Sequence, residues 1–188
     1  TIFQSPNSIY PEFPFHLDTL ISPDADLAFD MMDLGASYLD RGLYSEAAIQ
    51  FNRAFDYQTD NLDLHFFINF FPEDSILTQN MIDAFSFQLT NDITGASYFY
   101  LAVFHKFGEK AYENIQNYIH HQPLDIRGLL YYSNLFFNDE KWLDALLQYQ
   151  RILWLNKQNI DAQLGTALCL YHLDEFVDAI TALKRALT

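Results

Sequence analysis

The chain has 188 residues, half of them hydrophobic, and carries 10 Lys plus Arg against 25 Asp plus Glu for a formal net charge of −15. Such a length and apolar content suit one compact domain or a short repeat array, and they exclude a disordered chain. The acidity argues against nucleic acid and anionic membrane surfaces as partners, because binding to either rests on Lys and Arg displacing counterions.

Four of the six prolines, Pro6, Pro11, Pro14 and Pro23, fall in the first 23 residues, interleaved with Phe3, Tyr10, Phe13 and Phe15. This predicts an irregular aromatic arm over residues 1–22. Its first fourteen residues hold no base and no apolar run, so they do not read as a signal peptide, and no later stretch is long and apolar enough to predict a membrane span. A single cysteine, Cys169, excludes an intramolecular disulfide and a thiolate zinc cluster. A reducing, cytoplasmic setting is therefore expected. Residues 1–100 hold 15 acids and only two bases, Arg41 and Arg53, whereas residues 101–188 hold 10 acids and 8 bases. The acidic first half reads as a solvated face or as a docking surface for a basic partner.

Ser22-Pro23-Asp24 has the order of a cap, a first-turn proline and a first-turn acid, and predicts the start of a helix. From Ala28 onward a period of 34 residues emerges. The first unit, 28–61, reads Met31, Leu34-Gly35, Tyr38, Gly42, Tyr44, Ala47, Phe51, Ala54. The unit 126–159 reads Leu129, Tyr132-Ser133, Phe136, Trp142, Ala145, Tyr149, Ile152, and 160–188 reads Gln163, Thr166-Ala167, Leu170, Phe176, Ala179, Leu183, Ala186. A weaker copy, 92–125, keeps Tyr98, Ala111, Ile115, Tyr118 and Pro123 in register. Each unit predicts two amphipathic helices joined by a short turn, with the alanine at the twentieth position letting the two backbones approach. Gly35 is expected to serve the same close approach and Gly42 to sit in the turn. Residues 62–91 are four short of a full repeat. They predict a degenerate hairpin whose first half, Leu62 to Phe71, ends at Pro72 and whose second helix runs through Ile76, Met81, Ile82, Phe85 and Leu89.

This pattern resembles the tetratricopeptide repeat over about 127 residues. The resemblance implies an all-α solenoid of four to five helix-turn-helix hairpins (a right-handed superhelix) spanning 23–188 behind the arm. It also implies that the first helix of each unit lines a concave groove through its second, fifth, ninth and twelfth positions. In this chain these are Phe29, Met32, Ala36 and Leu39; Ile93, Ala96, Tyr100 and Val103; Arg127, Leu130, Asn134 and Phe137; and Asp161, Leu164, Leu168 and Tyr171. Phe29, Met32, Leu39, Tyr100, Val103, Arg127, Leu130, Asn134, Phe137, Leu164, Leu168 and Tyr171 are the expected partner contacts. Only Asn134 and Arg127 have the character of the cationic clamp with which some relatives hold heat-shock C-termini, which disfavours that ligand. The apolar remainder suits a segment with spaced hydrophobic anchors.

No phosphate-binding, zinc-protease or serine-hydrolase motif occurs. His120-His121 is the best metal candidate, but adjacent residues point to different sides and Asp125, the nearest acid, lies beyond Pro123. Cys169 sits between Leu168 and Leu170 and reads as a buried thiol. Asp139-Glu140 and Asp174-Glu175 read as solvated turn residues. The expectation is a non-enzymatic protein-interaction module without cofactor or metal, a chaperone or adaptor resembling the small acidic bacterial chaperones of secretion substrates. The alternative is a structural subunit, or part of a larger repeat assembly, with a groove filled by its own arm or by the 62–91 hairpin. The last helical face is expected to need a cover, supplied by a homodimer contact, a partner subunit or further repeats.

Overall fold

The computed structural model describes residues 23–57 and 76–186, with side chains from Leu27 onward. The expected arm and the first half of the degenerate hairpin lie outside the described residues. Among the described residues there are nine helices and no strand: α1 (Pro23–Asp40), α2 (Tyr44–Tyr57), α3 (Ile76–Gln88), α4 (Ala96–His105), α5 (Glu109–His121), α6 (Ile126–Asn138), α7 (Trp142–Leu155), α8 (Ile160–His172) and α9 (Phe176–Ala186). The chain divides into two compact units, Thr1–Thr59 and Asp60–Thr188.

In the first unit α1 packs on α2. Ala28, Gly35 and Leu39 of α1 are buried, as are Ala47, Ala48, Phe51, Ala54 and Phe55 of α2. Gly35 permits the approach: a Cβ there would stand 2.6 Å from Cε1 of Phe51. The cost of glycine inside a helix, about 1 kcal/mol relative to alanine, is offset by ring packing that no larger residue allows.

In the second unit each helix packs on the next, and α6 also reaches α8 directly. Its core runs through Phe85, Phe99, Tyr100, Ile115, Tyr118, Leu129 and Ile152, all essentially without solvent contact. The twentieth-position alanines, Ala47, Ala111, Ala145 and Ala179, are buried in every hairpin that has one, as close helix packing requires.

The repeat is also written in the backbone. Gly42, Lys106, Glu140 and Asp174 stand at the same place in four units and all have positive φ, at 72°, 54°, 60° and 63°. In three of them the turn is closed identically: Leu43, Lys141 and Glu175 donate their N–H to the carbonyls of Tyr38, Phe136 and Leu170 at 2.9 Å. This is the left-handed C-terminal turn that stops one helix and redirects the chain into the next. Only Gly42 is the residue such a position prefers. A left-handed non-glycine residue costs roughly 1 kcal/mol, part of which the greater unfolded-state freedom of glycine returns. Glu140→Gly is accordingly expected to raise stability by about 0.5 kcal/mol, and Gly42→Ala to lower it by about 1 kcal/mol. Urea midpoints of the two variants measure both signs.

One element departs from the expected register. The unit that sequence starts at Asp92 begins its helix only at Ala96, because Asp92 winds the chain ahead of it into a turn. Its carboxylate accepts hydrogen bonds from the N–H of Thr94, Gly95 and Ser97 at 3.1, 2.9 and 2.5 Å and from the Thr94 hydroxyl at 3.0 Å. Gly95 follows with φ 80°. Ile93 is left in solvent, and α4 presents a face different from the expected one.

Candidate partner-binding face

Two first helices, α6 and α8, lie side by side and form the core of the candidate site. Their starts are fixed by side-chain caps. Asp125 accepts from the N–H of Arg127 at 2.8 Å, and Asn159 accepts from the N–H of Ala162 at 2.8 Å. Both helices are seated by glycine on an aromatic ring of the preceding helix. A Cβ on Gly128 would stand 2.6 Å from the Tyr118 ring, and one on Gly165 2.4 Å from Cζ of Tyr149. These contacts set the rotation of α6 and α8 and hence which side chains face outward.

On α8 the stripe Leu164, Leu168 and Tyr171 follows i, i+4, i+7 spacing and is exposed at 38, 50 and 58%. On α6 Leu130 and Phe137 are half-buried against the core cluster. Asn134 stands exposed between them, its Oδ1 accepting the Tyr149 hydroxyl at 2.6 Å. That bond leaves the amide nitrogen of Asn134 as the outward donor. Phe137 closes one end of the stripe, with its ring 4.8 Å from Trp142 and 5.8 Å from His172, which are themselves stacked at 4.0 Å.

Four of the expected contacts need correction. Tyr100 and Val103 are core residues: Tyr100 stacks on Phe85 of α3 at 4.6 Å, and both are almost fully buried. Leu39 is likewise buried. Arg127 is consumed within the chain. Its Nη2 lies 2.6 Å from Oδ2 of Asp125 and its Nε 3.1 Å from both oxygens, and the side chain is only 14% exposed. Burial works against both charges, yet their mutual bonds outweigh it, holding the Asp125 carboxyl below and the Arg127 guanidinium above their ordinary ranges. No cation is therefore presented on α6 at that position. Phe29 and Met32 of the first unit are half-buried.

The chain also carries apolar surface that the inner-face reading passed over. Leu143, Leu147 and Trp154 are exposed along the other side of α7. The signal was present as the doublets Trp142-Leu143, Leu146-Leu147 and Leu153-Trp154, in which one member packs inward and the next points out.

Little in the site suggests bond-making chemistry. His120 and His121 are both exposed, with the His121 ring stacked on Tyr98 at 5.6 Å, and among the described residues no three side chains converge as metal ligands. Cys169 is buried, and burial pushes its thiol up to about 11, so the nucleophilic thiolate is scarce at neutral pH. No helix among the described residues is long and apolar enough to cross a membrane.

Comparison with known proteins finds no matching family profile and no matching curated protein. Among solved structures, the crystal structure of MamA protein resembles this chain with a TM-score of 0.56 at 14% identity, covering 86% of this chain and 91% of that one. At that identity the likeness is one of fold: the chain is an all-α, tetratricopeptide-like solenoid of helix hairpins.

Proposed function

We propose that the protein is a non-enzymatic interaction module whose α6–α8 face takes an apolar or amphipathic segment of another protein, in a cytoplasmic chaperone or adaptor role. The observation that carries this reading is the stripe of Leu164, Leu168 and Tyr171, three large apolar side chains left in solvent at helical spacing beside Leu130, Asn134 and Phe137. Burying each large anchor against such a stripe contributes roughly 1.5 to 3 kcal/mol before ordering costs. Asn134, held by Tyr149, supplies a fixed donor for a backbone carbonyl of the bound segment. The solenoid fold, which favours protein partners, supports the same reading.

The test is binding of peptides with leucine or phenylalanine at i, i+4 and i+7, selected from a display library on the full chain. Leu168→Asp and Tyr171→Asp are each expected to weaken binding at least about tenfold, because a carboxylate replaces a buried apolar contact. Helix content and melting should be unchanged, since both residues already face water. Unchanged affinity in both variants would sink the reading. Leu130 and Phe137 are poorer probes, because they also pack on the core.

A second reading rests on the outer stripe of α7. A structural subunit joined to its neighbours through Leu143, Leu147 and Trp154 predicts that Trp154→Ala, and not Leu168→Asp, disrupts association.

A further inference from the structure

Helix α7 carries a line of side chains at i, i+4, i+7 and i+11 spacing, Leu143, Leu147, Gln150 and Trp154, on the side away from its buried residues Ala145, Tyr149 and Ile152. Leu143, Leu147 and Trp154 are exposed at 60, 53 and 80%. Steps of four, three and four residues are those of a seam along which two helices pair. The repeat itself does not require this line. The same places hold Ser45, Ile49, Asn52 and Asp56 on α2, Glu109, Glu113, Gln116 and His120 on α5, and Val177, Thr181 and Lys184 on α9. Only α7 sets three large apolar side chains there.

One flank of the line is charged and the other is not. Asp144 and Arg151 are exposed on the first, two turns or about 10 Å apart along the helix, too far to pair with each other. Nη2 of Arg151 donates to the Pro123 carbonyl at 2.8 Å, and among the described residues neither Asp144 nor Arg151 has an ion-pair partner. An acid and an arginine recur at these places as Glu46 with Arg53 and Asp178 with Arg185, but without a comparable apolar line beside them. The opposite flank, Leu146 and Leu153, packs into the chain's own core.

We propose that α7 of one copy pairs antiparallel with α7 of a second copy about a two-fold axis. In that register Leu143 lies against Trp154 of the second copy and Leu147 against Gln150 of the second copy. On the charged flank Asp144 meets Arg151 of the second copy, and the symmetry repeats this ion pair at the other end. A parallel pairing would instead set both charges against Leu146 and Leu153 of the second copy. The face is therefore complementary to itself in one direction only. A single helix pair buries less than the roughly 1,200 to 2,000 Å² of a standard interface, so a weak, reversible dimer is expected. The contact rests on the same α7 stripe as the structural-subunit reading and gives it one occupant. It leaves the α6–α8 face free.

Sedimentation velocity of the full chain from about 1 to 500 μM tests this, and the wild type is expected to pass from monomer to dimer. Asp144→Arg and Arg151→Asp are each expected to lower the association constant at least about tenfold, because the symmetry places two like-charge pairs in every dimer. Mixing the two variants restores association, since one copy then offers two arginines and the other two aspartates. Asp144→Arg/Arg151→Asp in one chain also restores it. If a reversal disturbs melting, Trp154→Ala carries the comparison at a residue that faces water, with association at least about tenfold weaker and melting of the monomer unchanged. Leu168→Asp leaves the dimer intact. A wild-type chain that stays monomeric throughout, as it would if another segment or a different protein covered α7, overturns the proposal and leaves peptide binding at Leu168 and Tyr171 untouched. A dimer indifferent to both reversals, or a mixture that remains dissociated, overturns it as well.

Discussion

Asp125→Asn is expected to lower the stability of the protein by about 2 to 4 kcal/mol at neutral pH, as measured by urea unfolding. Asparagine still caps a helix, so the substitution isolates the charge. The wild-type carboxylate accepts the Tyr118 hydroxyl at 2.6 Å and the Arg127 side chain at 2.6 and 3.1 Å, and it ties the end of α5 to the start of α6. Without it the largely buried Arg127 guanidinium has lost its counter-charge. Removing that charge as well, in Asp125→Asn/Arg127→Met, is expected to recover part of the loss, because an uncharged pair is less costly to bury than a cation without its counter-charge.

The pH dependence follows in sign. Burial pushes the Asp125 carboxyl up, but bonds and charge from Arg127 and the hydrogen bond from Tyr118 outweigh it, so its folded pKa lies below the ordinary value. A group depressed on folding contributes stability that is complete above the unfolded carboxylate value of about 3.9 and disappears as pH falls through the folded one. The stability curves of wild type and Asp125→Asn should therefore converge below about pH 4. Curves that stay parallel to pH 2 would place the effect in the cap instead of the charge.

The fold was legible in sequence to the extent that the 34-residue pattern reports packing. Gly35 against Phe51, the buried alanines at the twentieth position and the Gly42 turn all sit where the spacing places them. The pattern failed where a polar side chain overruled it. Asp92 gathers the backbone N–H groups that a helix starting there would have needed, and α4 starts later. The inner-face positions of that unit then pack on α3, as the stacking of Tyr100 on Phe85 shows. Arg127 was misread for a related reason. A position count along a helix does not see that a capping carboxylate two residues earlier captures the cation. Unit length alone does not decide exposure: Leu164, Leu168 and Tyr171 stand in solvent on α8, whereas Leu39, in a first unit with the full 34-residue spacing, is buried.

The seating of α8 on α7 leads to the second large effect. In an exposed helix Gly165→Ala would gain about 1 kcal/mol of helix propensity. Here the new Cβ would lie 2.4 to 2.6 Å from three atoms of the Tyr149 ring. That ring cannot swing aside, because it is buried and its hydroxyl is bonded to Asn134 at 2.6 Å. The methyl must push α8 away from α7, and overpacking of this kind costs about 1 to 3 kcal/mol even after the propensity gain. Tyr149→Leu introduces the side chain that the next repeat carries at the same place, Leu183, and removes the obstructing ring. The double variant Gly165→Ala/Tyr149→Leu is therefore expected to be more stable than the sum of the two single losses, by at least about 1 kcal/mol in a double-mutant cycle. The rotation of α8 depends on that seat, so Gly165→Ala should also weaken peptide binding at Leu164, Leu168 and Tyr171 without touching any of them. Strict additivity of the two substitutions would show that ring and glycine do not press on one another.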